Sequence, residues 1–176
     1  MIKFTNDAQN GSQGQRLSYE LLYDLLNRPG PLWLTGAVLR DADLRGAKLE
    51  EATLWYTNLT RAKLQGAQLR KGSLIDAVLA YANLMGANLE EANLYRANLT
   101  GANLCYADLR KANFREAILD GAALKYARLD GADFRDADLR GVDFEGANLE
   151  DAILEGAIFE DDSLKSVELQ LQGGVR

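Results

Sequence analysis

Residues 82–101 read ANLMG ANLEE ANLYR ANLTG, four successive units of five residues. The same register covers most of the chain: of the 28 positions spaced by five from Leu34 to Leu169, 24 are Leu and four are Phe. The residue two places earlier is small, and 22 of the 25 such positions from Ala37 to Ala157 are Ala. A five-residue period matches neither the period of a helix nor that of a strand. It therefore predicts a repeat architecture.

The unit Ala87–Glu91 shows what this period requires. Ala87 and Leu89 are two residues apart, so in an extended backbone they point the same way. The next two residues are usually polar or Gly, the composition of a tight turn. Repetition of a short strand and a corner predicts an all-β solenoid with Ala and Leu inside. We expect the Asn or Asp before each Leu to bond to nearby backbone and set the corner geometry.

Residues that are twenty apart indicate how many sides the solenoid has. The pairs in question are Glu50-Glu51, Arg70-Lys71, Glu90-Glu91, Arg110-Lys111, Asp130-Gly131 and Glu150-Asp151. Their sign alternates for four coils and the start of a fifth, whereas a step of 15 gives no pattern. Alternating charge suits neighbours stacked about 4.8 Å apart. The pattern favours four sides of five residues each.

Units such as Ala42–Gly46 (ADLRG), Ala97–Gly101 (ANLTG) and Ala132–Asp136 (ADFRD) read A(D/N)LXX or nearly so. Over about residues 32–169 the chain closely resembles the pentapeptide-repeat family. The resemblance implies a right-handed quadrilateral parallel β-helix of about seven 20-residue coils.

The segments on either side of the array are short. Residues 1–31 are predicted to form a tail and a capping α-helix at about 16–28, which Pro29-Gly30-Pro31 ends. The apolar face of this helix consists of Leu17, Leu21, Leu22, Leu25 and Leu26. It is expected to cover the first coil, with a docking role as the alternative. Residues 170–176 form a C-terminal tail, and the uncapped last coil favours end-to-end homodimers.

Composition excludes several classes of function. A net charge of −6 argues against direct binding to nucleic acid or to an anionic membrane. The single cysteine, Cys105, suits a reducing compartment, and no stretch has the length of a signal or membrane segment. We therefore expect a cytoplasmic location. With no histidine and no nucleophile beside a base, the chain is predicted to be no enzyme and to need no cofactor.

Large apolar side chains are the best candidates for a binding site. At the two turn positions of the array they occur only between Trp55 and Tyr126. Trp55, Ile75 and Tyr95 stack in one column on the 20-residue register and are expected to lie on a flat wall, with Tyr56 and Tyr81 at its edge. Met85, Cys105, Tyr106 and Tyr126 gather on the opposite wall. Exposed aromatic residues on a rigid scaffold are typical of protein recognition, which predicts a partner protein of unknown identity. The alternative is that they only stabilise neighbouring coils.

The acidic C-terminal coils support a second hypothesis. Residues 130–162 carry a net charge of −10, whereas residues 32–129 carry +3. Some relatives in the family that the chain resembles mimic B-DNA and bind DNA gyrase in this way, which makes such mimicry the alternative function. The acidic stretch has the charge density of DNA but spans only about 8 Å. The candidate residues are Asp130, Asp136, Glu145, Glu150, Asp151 and Glu155. Two further alternatives are calcium binding by Asp130, Asp133, Asp136 and Asp138, which matches no known loop spacing, and a structural or stress-related role.

Overall fold

The computed structural model describes residues 30–160, together with Asp24, and residues 33–158 form a coil with four sides. Parallel β-bridges pair each outward residue with the residue 20 positions further on, and these pairs define four walls. Wall 1 carries residues 33, 53, 73, 93, 113, 133 and 153; wall 2 carries 38, 58, 78, 98, 118, 138 and 158; wall 3 carries 43, 63, 83, 103, 123 and 143; wall 4 carries 48, 68, 88, 108, 128 and 148. Within the described part, no strand is longer than one bridged residue.

Two residues form the corner between successive walls. Corner 1–2 consists of residues 35–36 and the pairs that follow every 20 residues to 155–156. Corners 2–3, 3–4 and 4–1 begin in the same way at residues 40–41, 45–46 and 50–51. The second corner residue has φ near +60°, and the N–H of the next residue donates across the corner, as from Ala92 to Leu89 O at 2.9 Å. These are the features of a type II turn.

The unit Ala87–Glu91 satisfies all five of its backbone N–H groups. The N–H groups of residues 87 to 91 donate, in chain order, to Leu84 O (2.9 Å), Ala67 O (2.9 Å), Asp108 O (2.7 Å), Asn88 Oδ1 (3.0 Å) and Arg110 O (2.9 Å). The Asn88 side chain thus takes the one N–H that neither coil pairing nor the turn uses. An equivalent bond recurs in 13 units in all, which confirms that Asn and Asp bond to nearby backbone. The corner after Val78 has the same turn without such a bond, with Tyr81 at φ +59° and Ala82 N donating to Leu79 O at 3.0 Å, so these side chains support the corner geometry rather than set it.

The interior is a column of Leu and Ala side chains, nearly all of them fully buried. The Phe114 and Phe134 rings stack with centroids 4.8 Å apart, and the Phe134 and Phe144 rings meet edge to face at 6.4 Å. Thr57 takes the place of an Ala, and its buried hydroxyl donates to Leu34 O at 2.8 Å. One small and one large residue per unit therefore fill the narrow interior, as the period predicts.

The ends of the predicted architecture lie largely outside the described residues. Asp24, within the predicted capping helix, is helical and exposed. The rest of that helix, the last units of the array and the tail at 170–176 are not among the described residues. The capping role, the end-to-end dimer and the total of about seven coils therefore stay predictions. In the described part, no helix has the length and apolarity needed to cross a bilayer.

Two glycines at corner 3–4 give a matched test of corner strain. Gly86 and Gly146 have φ of +65° and +67°. A Cβ at Gly86 would meet nothing within 4 Å, whereas one at Gly146 would collide with the Tyr126 ring. We expect Gly86→Ala to lower the free energy of unfolding by about 1 kcal/mol, through left-handed strain alone. Gly146→Ala should cost more, because the tyrosine ring must also move.

Urea denaturation of both variants would measure the difference. In a Tyr126→Ala background, the two glycine substitutions should cost the same. If Gly146→Ala costs no more than Gly86→Ala while Tyr126 is present, the ring does not pack on that corner as described.

Candidate functional site

The charges at corner 4–1 form a ladder from coil to coil. Arg70 contacts Glu90 at 3.1 Å and Glu91 at 3.3 Å, while Lys71 lies 3.8 Å from Glu91. Arg110, in the coil after Glu90, also contacts Glu90, at 3.2 Å. These ion pairs confirm the 20-residue register that the alternating signs predict.

Glu50 and Glu51, the first charged pair at corner 4–1, take no part in these ion pairs. Glu50 and Glu51 are both exposed, and neither has an ion pair within the described part of the chain. The reason is geometric: Arg70 and Lys71 pair with carboxylates of the coil that follows them, rather than with those of the coil before. Two negative charges are thus left at the N-terminal end of corner 4–1.

Trp55 and Tyr56 occupy corner 1–2. Trp55 is 42% exposed, and its Nε1 donates to Ser73 Oγ on wall 1 at 2.6 Å. That bond directs the indole toward the next coil. Tyr56 is 63% exposed. The sequence hypothesis placed the column of Trp55, Ile75 and Tyr95 on a flat wall; it lies at a corner instead, because these residues follow the central Leu and form the turn.

Ile75 and Tyr95 continue this column in the next two coils and are half-buried. The Tyr95 hydroxyl donates to Glu116 Oε1 at 2.7 Å, and this bond raises the pKa of Tyr95 above its ordinary value. The guanidinium of Arg96 lies 6.0 Å from the centroid of the Tyr95 ring and 3.1 Å from Asp76. The lower part of the column is therefore already packed and hydrogen-bonded within the protein.

Tyr81 lies apart from the other predicted site residues. It stands at corner 2–3, across wall 2 from Tyr56, and is 64% exposed. Its ring covers Gly101 in the next coil, where an added Cβ would lie 2.7 Å from ring atoms. The structure thus brings Trp55, Tyr56, Ile75 and Tyr95 together along one corner and leaves Tyr81 one wall away.

Trp33 was missed by the sequence analysis. It is 68% exposed on wall 1 and bridged to Thr53, two residues before Trp55. It was missed because only turn positions were searched, whereas Trp33 precedes a central Leu; a tryptophan at that outward position was the available signal. Trp33, Trp55 and Tyr56 are hereafter the aromatic patch.

The second apolar group lies at corner 3–4, diagonally across the rod. Tyr106 and Tyr126 stack with ring centroids 5.1 Å apart and an interplanar angle of 17°. Met85 is 45% exposed one coil above Tyr106, and Cys105 is half-buried. Because each tyrosine packs on the next coil, stabilisation of the coil stack accounts for this group.

In the acidic coils, side chains of the protein already engage some carboxylates. Arg135 binds Asp133 and Arg140 binds Asp138, both at 2.5 Å, and each bond lowers the pKa of its aspartate. Of the predicted residues, Glu145 pairs with Lys125 at 2.5 Å, and Asp130 accepts from Asn148 at 2.8 Å. The other four, which are exposed and have no ion pair among the described residues, are Asp136, Glu150, Asp151 and Glu155.

The calcium hypothesis gains nothing from this geometry. Asp130, Asp133, Asp136 and Asp138 are spread over two corners and two walls. Over the described residues, no group of three or more His, Cys, Asp or Glu side chains is arranged to hold a metal ion.

The chain is similar to several solved structures. A pentapeptide repeat protein from the thylakoid lumen of Arabidopsis thaliana is 31% identical over 60% of this chain and 70% of its own, with a TM-score of 0.43. HetL from Nostoc sp. strain PCC 7120, a pentapeptide repeat protein involved in heterocyst differentiation regulation, is 34% identical over 73% and 75%, with a TM-score of 0.27. Full-length QnrB1, a plasmid-mediated fluoroquinolone resistance protein, is 16% identical over 79% and 87%, with a TM-score of 0.36. At these TM-scores, none of the likenesses decides fold or function.

Comparison of the sequence with protein-family models establishes the family. A comparison with curated proteins gave no match. The family model described as pentapeptide repeats matches residues 34–55, 57–94, 82–121, 97–136 and 117–156, which together make up more than half of the chain. The chain therefore belongs to the pentapeptide-repeat family, whose members form right-handed quadrilateral β-helices.

Proposed function

We propose that this protein is a non-enzymatic, cytoplasmic scaffold that binds another protein through the aromatic patch and the adjoining column of Ile75 and Tyr95. The observation that carries the proposal is the exposure of Trp33, Trp55 and Tyr56 within two successive coils. Large aromatic side chains dominate binding energy at protein interfaces when a partner covers them. Three of them on one edge of the rod would supply the centre of such an interface.

The backbone beneath the patch supports this role. Gly36 N donates to Trp55 O at 2.8 Å and Tyr56 N donates to Ile75 O at 3.0 Å, so the backbone around the patch is hydrogen-bonded to the coils on either side. The bond from Trp55 to Ser73 fixes the indole as well. A partner would therefore lose little free energy in ordering this surface.

A pull-down from a lysate of the source organism tests the proposal. The wild-type protein should capture a partner that persists at high salt, because apolar contacts are little screened. A variant carrying Trp55→Ala and Tyr95→Ala should lose the partner by at least tenfold, since each truncated hot-spot aromatic costs about 2 kcal/mol. The matched control carries Tyr106→Ala and Tyr126→Ala at the diagonal corner and should bind as wild type does. Equal capture by all three proteins would refute the aromatic site.

The acidic coils favour one second function, mimicry of DNA toward a DNA-binding enzyme such as DNA gyrase. The supporting observation is the set of four exposed carboxylates without ion pairs, at Asp136, Glu150, Asp151 and Glu155. Binding of this kind should weaken steeply with salt and should be lost in a variant carrying Asp136→Asn, Glu150→Gln and Asp151→Asn. If the partner binds equally well at high salt and to this triple variant, DNA mimicry is excluded.

A further inference from the structure

The surroundings of the aromatic patch indicate the chemistry of its partner. Wall 1 is bounded by corner 4–1 on one side and by corner 1–2 on the other. At the start of the second coil, Thr53 on wall 1 lies two residues after Glu51 and two residues before Trp55, and it is bridged to Trp33. The two indoles and the two carboxylates of Glu50 and Glu51 therefore border the same stretch of wall.

Among the described residues, no ion pair neutralises these carboxylates. Arg70 and Lys71, the nearest cations at their corner, pair with Glu90 and Glu91. At the other border, the cation of Arg96 is paired with Asp76. Arg61, at corner 2–3, is paired with Asp41 at 2.7 Å. Lys48, on wall 4 two residues before Glu50, is exposed and has no ion pair among the described residues. The carboxylates of Glu50 and Glu51 outnumber this cation, so the charge left beside the patch by residues 30–160 is negative.

We propose that the segment bound at the aromatic patch is basic and places Lys or Arg side chains over Trp33 and Trp55, with their charge toward Glu50 and Glu51. This inference rests on the proposed function and names the partner chemistry at that same site. A cation over an indole face is attracted by the ring quadrupole, most strongly for tryptophan. Guanidinium groups also pair with carboxylates in a bidentate geometry, which gives arginine the stronger contact.

The chain carries its own reporter for this binding. It contains two tryptophans, and both belong to the aromatic patch. Their emission can be titrated with an acetylated and amidated tri-arginine peptide at low ionic strength. We expect a saturable change in emission, with a tri-lysine peptide binding more weakly and a tri-glutamate peptide giving no change. Trp33→Phe and Trp55→Phe should each reduce the change.

A matched pair of variants locates the carboxylates responsible. Glu50→Gln with Glu51→Gln should weaken tri-arginine binding about tenfold, since two exposed ion pairs with the peptide are lost. Asp120→Asn with Glu160→Gln removes two exposed carboxylates from corner 2–3 and should leave the affinity unchanged. Equal weakening by both pairs would mean diffuse electrostatic attraction and would overturn the proposal.

Two outcomes separate this proposal from the scaffold function itself. If tri-arginine gives no saturable change in wild-type emission, the basic partner is refuted. If the pull-down partner still depends on Trp55 and Tyr95 but not on Glu50 and Glu51, the scaffold function stands while the basic partner fails. If the aromatic variant and the Glu50→Gln, Glu51→Gln variant both lose the partner, the scaffold function and the basic partner are both supported.

Discussion

Leu94→Asp is expected to abolish cooperative folding. Leu94 is fully buried at the middle of the array, with Leu74 and Phe114 at the same register position in the coils above and below. An aspartate there would find only apolar neighbours, and burying an unpaired charge or protonating it costs several kcal/mol. In a solenoid, each coil contacts only its neighbours, so a broken middle coil interrupts the stack. The far-ultraviolet circular dichroism of the variant should lose its β signal.

Leu154→Asp is the matched control, since Leu154 occupies the same register position in the last described coil. Its side chain is only partly buried, so its carboxylate can reach water. This variant should remain folded and lose about 1–2 kcal/mol of unfolding free energy, because only the packing around this partly buried position is disturbed. A Leu94→Asp protein as stable as this control would show that the middle coils do not enclose a dry interior.

Phe134→Ala is expected to lower the free energy of unfolding by about 3–5 kcal/mol. The Phe134 ring is fully buried, stacks on Phe114 at 4.8 Å and meets Phe144 edge to face at 6.4 Å. Alanine would leave a cavity that the rod cannot close, because the coil spacing is set by backbone hydrogen bonds on all four sides. Urea denaturation measures the loss.

Phe134→Leu separates the cavity from the ring stacking. Leucine is the usual residue at this register position, so the variant should keep most of the packing and lose only about 1–2 kcal/mol. If leucine is as costly as alanine, the stacked rings contribute something that volume alone does not supply.

The repeat predicted the walls well, because the constraints that define them are local. The large residue of each unit, such as Leu89, points inward, and an Asn or Asp before it, such as Asn88, caps a corner N–H. The ladder from Arg70 through Glu90 to Arg110 followed from the 20-residue register. These features depend on spacing, which a sequence displays directly.

The candidate site was predicted only in part, because it depends on where long side chains lie. Tyr81 and Tyr126 fold over glycines of the next coil, and Trp55 turns toward Ser73. Arg135 and Arg140 bend back two residues to Asp133 and Asp138, which occupies carboxylates that a charge count treats as free. No period in the sequence encodes such rotamer choices.

In a coil with four five-residue sides, each unit advances the chain by a quarter of a turn, and four units advance it by one coil. Removal of a single unit between the aromatic patch and Asp130 would turn every later residue by a quarter revolution, which would move the exposed carboxylates to other faces. Removal of four units would leave each face aligned and draw the two regions closer by about 4.8 Å. The separation and the relative angle of two binding surfaces on this rod can therefore be set independently, by the number of residues between them.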